Sequence, residues 1–186
     1  RDAHLNTILA LVAAVETRDP LSRGHSRHVC HYAEIIAGWL NLPTAEIDTI
    51  KTAALLHDVG KIGVHDAILT KAGKLTAEEF EVVRRHPGLG AQIMEPVHSL
   101  LPAVPFVLHH HEWYDGGGYP HGLAGEDIPL GARILQLADS IDAMLFPRAY
   151  KEGYAVDRVL EQIVSGAGRQ FDPELSTRAA SWIRQF

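Results

Sequence analysis

The sequence predicts an all-α fold built as one compact multi-helix domain, and three observations carry that expectation. Apolar residues recur at steps of three and four along nearly the whole chain, the period of a helix with one buried face. Strand-like alternation is scarce. Helix start signals agree with the period: TAEE at 76–79 has the form of a capping box, and FDPEL from Phe171 sets an Asp cap before a Pro at the first helical position.

Element by element, the apolar run Ile8 to Val15 lies in a first helix near 2–18. Val29, Ala33, Ile36, Ala37 and Leu40 share a face of a second near 25–41, and Ile47, Ile50, Ala54 and Leu55 do so in a third near 45–58. Thr76 opens a helix near 76–85, where His86 ends it before Pro87, and two more follow near 88–95 and 99–111. The last three are expected near 131–145, 154–165 and 173–184, the final one opened by Asp172. Gly and Pro concentrate in loops around 19–24, 60–73 and 115–131. No repeat, low-complexity tract or linker divides the chain.

At 186 residues the chain suits a single domain burying roughly 70% of its unfolded surface. Hydrophobic residues at 46% and charged residues at 22% exclude the disordered and fibrous classes. Cys30 is the only cysteine, which excludes a disulfide framework and a thiolate zinc site and points to a reducing, cytoplasmic setting. The apolar run Ile8 to Val15 is far short of the roughly 20 residues a membrane span needs. A formal charge of −6 argues against a surface that tracks long nucleic acid, so any anionic ligand needs locally placed cations. Arg1 is not a start residue, and the chain reads as a piece of a longer protein.

Twelve histidines are the unusual feature. His25, His57 with Asp58, His86, and His110 with His111 all fall at or near expected helix ends, and Asp139 lies in LADSIDA. Imidazole and carboxylate suit Mn, Fe, Co, Ni and Zn, and so many donors exceed what one tetrahedral ion can use. Two divalent ions are the simpler account, with Asp58 as the group that bridges them. His4, His28, His31, His65, His98 and His121 read as surface or hydrogen-bonded residues.

HDVGK at 57–61, HHHEWYDGGGYP at 109–120 and LADSIDAM at 137–144 resemble the HD-GYP family of the HD phosphohydrolases, and the likeness runs through ETRDPLSRGHS, RRHPGLG, GLAGEDIPLGARI and GRQFDPEL. The resemblance implies an HD-type helical domain over 1–186, with a sensor or receiver domain upstream and a metal centre at converging helix ends. It implies hydrolysis of cyclic di-GMP to pGpG, GMP or both. Position by position it puts metal ligands at His57, Asp58, His86, His110, His111 and Asp139, with Fe or Mn preferred and Zn, Ni or Co accepted. Substrate contacts fall on Lys61, Asp142, Arg148 and Lys151, with Asp58 and Lys61 as the catalytic pair. His109 falls outside the matched pattern and reads as support or packing.

Some relatives carry a glutamate four residues before the histidine that is His25 here. Leu21 stands in that place and cannot coordinate, so His25 is expected to be a marginal ligand and the ions to number two. Ser22, His28, Ala149 and the apolar MLFPR segment also depart from the pattern, which bears on substrate preference and rate. The alternatives are a cyclic di-GMP receptor that hydrolyses weakly or not at all, a hydrolase of another cyclic dinucleotide, and a helical module with structural histidines. Compatible partners are a signalling domain docked at Gly118, Tyr119 and Pro120, and a second copy of the chain.

Overall fold

The computed structural model describes residues 2–18, 24–146 and 153–184, with side chains from residue 8 onward in the first stretch. Arg148 and Lys151, with Leu21 and Ser22, lie outside the described residues. Every regular element among the described residues is a helix, as the apolar period requires. Among the described residues, strand-like pairing is limited to two isolated bridges, Asp115 with Ala124 and Ala167 with Phe171.

The chain forms α1 (Asp2–Arg18), α2 (His25–Trp39), α3 (Thr44–Leu56), α4 (Asp66–Leu69), α5 (Ala77–Val83), α6 (His86–Met94), α7 (Val104–His109), α8 (Leu130–Leu145), α9 (Val156–Gly166) and α10 (Pro173–Ile183). No helix among the described residues is long and apolar enough to cross a membrane. The centre is a three-helix layer in which α2 packs against both α3 and α8. Its faces are rich in small residues: Ala33 and Ala37 of α2, Ala53 and Ala54 of α3, and Ala132 and Ala138 of α8 are all fully buried. Such faces let helix axes approach at the close end of the usual 8–10 Å range. Ile36, Ile50, Leu135 and Ile141 fill the space between them, each contributing about 1.5–3 kcal/mol by burial.

Peripheral pieces are tied to this layer by specific bonds. Arg18, at the end of α1, donates to the Val64 carbonyl at 3.0 Å and pairs with Asp66 at 2.6 Å, which fastens α1 to the start of α4. Arg178 of α10 donates to the Trp39 carbonyl at 2.7 Å, beside the contact of the Trp39 and Trp182 rings.

Both cap signals operate. Thr76 accepts from the Glu79 amide while the Glu79 carboxylate accepts from the Thr76 amide. Asp172 accepts from the Glu174 and Leu175 amides through one oxygen and from Arg133 at 2.6 Å through the other. Asp172→Ala therefore removes a cap and strands a half-buried guanidinium, and a loss of about 2–3 kcal/mol is expected. Asp172→Asn keeps the cap and is expected to lose less; urea midpoints of the two variants check the order.

Prolines move two boundaries, and a third expected loop is partly helical. The helix expected near 99–111 divides into a 3-10 turn at His98–Ala103 and α7, with Pro102 inside the turn and Pro105 in the first turn of α7. A proline lacks the amide a continuous helix would use there. His86 opens α6 instead of closing α5, because Pro87 is tolerated in a first helical turn. The loop expected around 60–73 contains a 3-10 turn at Val59–Gly63 and the short α4.

Candidate metal centre

His57 is the C-cap of α3, and Asp58 follows it at the head of the 3-10 turn. That turn eclipses residues three apart, so Lys61 folds back over Asp58 and its Nζ donates to Oδ2 at 2.7 Å. α6 brings His86 to the other oxygen of Asp58, with Nε2 3.4 Å from Oδ1. The end of α7 adds His110 and His111, α8 adds Asp139, and the first turn of α2 adds His25. The expected set of His57, Asp58, His86, His110, His111 and Asp139 is thus drawn together from α3, α6, α7 and α8. His57, His86 and His110 are 2% exposed or less, which leaves them no bulk water as a partner.

The tautomers follow from the backbone. Nδ1 of His57 faces the Ala54 carbonyl at 2.7 Å, Nδ1 of His86 the Val83 carbonyl at 2.8 Å, and Nδ1 of His110 the Val107 carbonyl at 2.7 Å. A carbonyl only accepts, so each Nδ1 carries the proton and each Nε2 turns a lone pair inward. His86 Nε2 and His110 Nε2 are 3.3 Å apart. Two lone pairs facing each other in a dry site repel unless a cation lies between them, which is the pattern of orienting bonds behind metal-binding histidines. This donor set fits a transition ion.

Electrostatics divide the cluster into two halves. On the imidazole side, burial and the neighbouring imidazoles push His110 well below its ordinary pKa, and burial with Lys61 lowers His86. Burial and His86 push His111 down to about 3. All three stay in the neutral form that binds metal. On the acidic side, burial opposes charge on His25, but Asp139 and Asp142 outweigh it and push the pKa up to about 10. Burial would raise the Asp58 and Asp139 carboxyls, yet Lys61 with the imidazoles holds Asp58 well below the usual range and His25 does the same for Asp139. One half rejects protons and the other recruits positive charge, and Asp58 spans both.

His25 sits inside this arrangement, not at its margin. Its Nε2 is 3.2 Å from Asp139 and 3.9 Å from Asp58, and it groups with His57 and Asp58 as a set able to hold an ion; His86, His110 and His111 form a second such set beside it. Asp142 is the cause. It is 3% exposed, and its oxygens take Nδ1 of His25 at 2.5 Å and Nδ1 of His28 at 3.0 Å. Asp142, expected as a substrate contact, thus also sets the orientation of a neighbouring imidazole.

Two participants, Glu112 and Arg84, were not singled out by the sequence reading. Glu112 is buried, and its carboxylate accepts from the amides of His121, Gly122 and Leu123 at 2.7, 3.0 and 3.2 Å, which ties the Gly-rich loop to the end of α7. Its signal was an acid directly before a loop whose amides need acceptors. His28, read as a surface or hydrogen-bonded residue, lies one helical turn from His25 and is bonded to Asp142. Arg84 lies over the Tyr119 ring, which stacks on His111 at 4.8 Å. A Cβ on Gly118 would stand 2.2 Å from the Trp113 amide, so only glycine lets the loop close this tightly.

Known proteins share the sequence pattern and the fold of this chain. The pattern of the HD domain matches residues 10–175. The chain is 42% identical over 90% of its length to the cyclic di-GMP phosphodiesterase response regulator RpfG of Xanthomonas campestris, covering 45% of that protein. It is 37% identical over 94% of its length to the 3'3'-cGAMP-specific phosphodiesterase 2 of Vibrio cholerae, covering 34% of it. The chain therefore spans less than half the length of these relatives. In structure it resembles a cyclic GMP-AMP specific phosphodiesterase of V. cholerae, with a TM-score of 0.73 at 18% identity over 96% of this chain and 48% of the other. The phosphodiesterase PgpH HD domain of L. monocytogenes gives 0.64 at 14% identity over 93% of this chain and 94% of the other. At these identities the structural likeness speaks for the fold alone. The chain belongs to the HD domain family, and its HDVGK and HHHEWYDGGGYP segments mark the HD-GYP branch of it.

Proposed function

We propose that the chain is a metal-dependent phosphodiesterase that hydrolyses cyclic di-GMP to pGpG, GMP or both. The single observation that carries this reading is Asp58, whose two oxygens face opposite halves of one buried cluster of imidazoles and carboxylates. Similarity to proteins named cyclic di-GMP phosphodiesterases, at 42% and 40% identity over about nine-tenths of this chain, supports the choice of substrate.

In this reading His86, His110 and His111 would hold one ion and His57 and Asp139 a second, with Asp58 shared between them and His25 as an added donor. When bound, Fe or Mn ions neutralise the phosphodiester and lower the pKa of water to near neutrality. Asp142 positions His25 and thereby the acidic half of the site. Lys61, a partly buried cation over Asp58, meets charge developing on the phosphoryl oxygens, where a preorganised group is most effective. Arg148 and Lys151 are proposed to anchor the second phosphate or a guanine edge.

A second reading, a preference for 3'3'-cyclic GMP-AMP, is favoured by the relatives at 37% and 36% identity that carry that specificity in their names. Reducing, anaerobic turnover with Fe or Mn, run on both cyclic dinucleotides with product separation and metal analysis, tests the proposal. Cyclic di-GMP is expected to give pGpG or GMP at the higher kcat/KM. Faster loss of the mixed dinucleotide would replace the substrate assignment. Tight binding of cyclic di-GMP with no product after long incubation would make the domain a receptor.

A further inference from the structure

His109 and His121 are absorbed by neither the fold nor the proposed reaction, and they face each other outside the buried cluster. We propose that His109, His121 and Glu112 form a separate, solvent-reachable site for a divalent transition ion of the imidazole-preferring class, Zn2+ or Ni2+. Successive helical residues point about 100° apart, so His109 turns outward at the end of α7 where His110 turns inward.

The preparation of His109 matches that of the buried histidines. Its Nδ1 faces the Pro105 carbonyl at 2.9 Å, which fixes the proton there and leaves Nε2 with its lone pair. That Nε2 lies 3.1 Å from Nδ1 of His121. Two nitrogens bound tetrahedrally at roughly 2.0–2.1 Å stand about 3.3 Å apart, so the pair closes on an ion with a shift of tenths of an ångström. Glu112 supplies the third group. Donor atoms of the three side chains lie within 4.8 Å of one another. Oε1 of Glu112 accepts from the His121 amide and Oε2 from two further amides, and a carboxylate oxygen has two lone pairs.

The position gives such an ion a mechanical effect. His121 lies two residues after Tyr119, the ring stacked on His111. An ion shared by α7 and His121 fastens the Gly-rich loop at its exposed end, adding to the hold that Glu112 has at its buried end.

The test uses the folded protein with the buried cluster saturated with zinc, and compares wild type with His121→Gln. Zinc held per chain is read by competition with a chromophoric chelator at neutral pH, and thermal midpoints are read with and without excess zinc. Wild type is expected to hold one more zinc per chain than His121→Gln and to gain a zinc-dependent rise in midpoint that the variant lacks. His109→Gln is expected to behave like His121→Gln. Because the buried cluster is common to all three proteins, its zinc cancels, and the result does not depend on hydrolysis. Equal zinc in wild type and both variants would overturn the proposal and leave a plain hydrogen bond between two imidazoles.

Discussion

His57→Ala combined with Asp58→Ala is expected to lose at least one metal ion per chain and to reduce turnover of cyclic di-GMP by on the order of 10³-fold or more. Removing one preorganised electrostatic group from a catalytic site costs about 10²–10³ in rate, and here the group removed faces both halves of the cluster. A 10³-fold loss corresponds to about 4 kcal/mol of transition-state stabilisation. Without Asp58, the lone pairs of His86 and His110 still face each other at 3.3 Å with no anion to balance an ion placed between them. Without His57, the acidic half keeps Asp139 and His25 but loses the imidazole fixed by the Ala54 carbonyl. Elemental analysis gives the metal per chain, initial rates give the activity, and circular dichroism separates a lost site from a lost fold. A folded double variant with full turnover would remove the mechanism.

Much of this was legible in the sequence because its signals are local. Apolar spacing along α2, α3 and α8 is set by each helix's own buried face, and the Thr76 and Asp172 caps bond amides two or three residues away. The donors were conspicuous too, since pairs such as His57–Asp58 and His110–His111 at helix ends have few structural uses. What stayed hidden depends on contacts across long separations. His25 reads as marginal from its own neighbourhood, where Leu21 replaces an acid, and is seated by Asp142, 117 residues later. Glu112 looks like one more loop acid until the amides of residues 121–123 turn back onto it. The break between the 3-10 turn at His98–Ala103 and α7 is the opposite case: Pro102 and Pro105 announce it, and apolar spacing across 99–111 masks it.

Gly60→Ala is expected to be the most damaging methyl group that could be added near the site. An added Cβ would stand 1.9 Å from the His86 carbonyl oxygen and 2.5 Å from the Gly90 amide nitrogen. Both are backbone atoms, so no rotamer change relieves the overlap and α6 must move off the 3-10 turn as a unit. Overpacking in a core usually costs 1–3 kcal/mol, and with rigid backbone on both sides a loss of about 3 kcal/mol or more is expected. The damage reaches the site because α6 begins at His86, whose Nε2 stands 3.4 Å from Asp58. Even protein that folds is expected to hold less metal, the ion near His86, His110 and His111 going first. Gly88→Ala is the control within the same helix. Its Cβ meets nothing within 4 Å, and replacing a helical glycine by alanine gains up to about 1 kcal/mol. Urea midpoints and metal content measured on the two variants decide the point: if Gly60→Ala matches Gly88→Ala in both, the close approach of α6 to the turn does not hold His86 against Asp58.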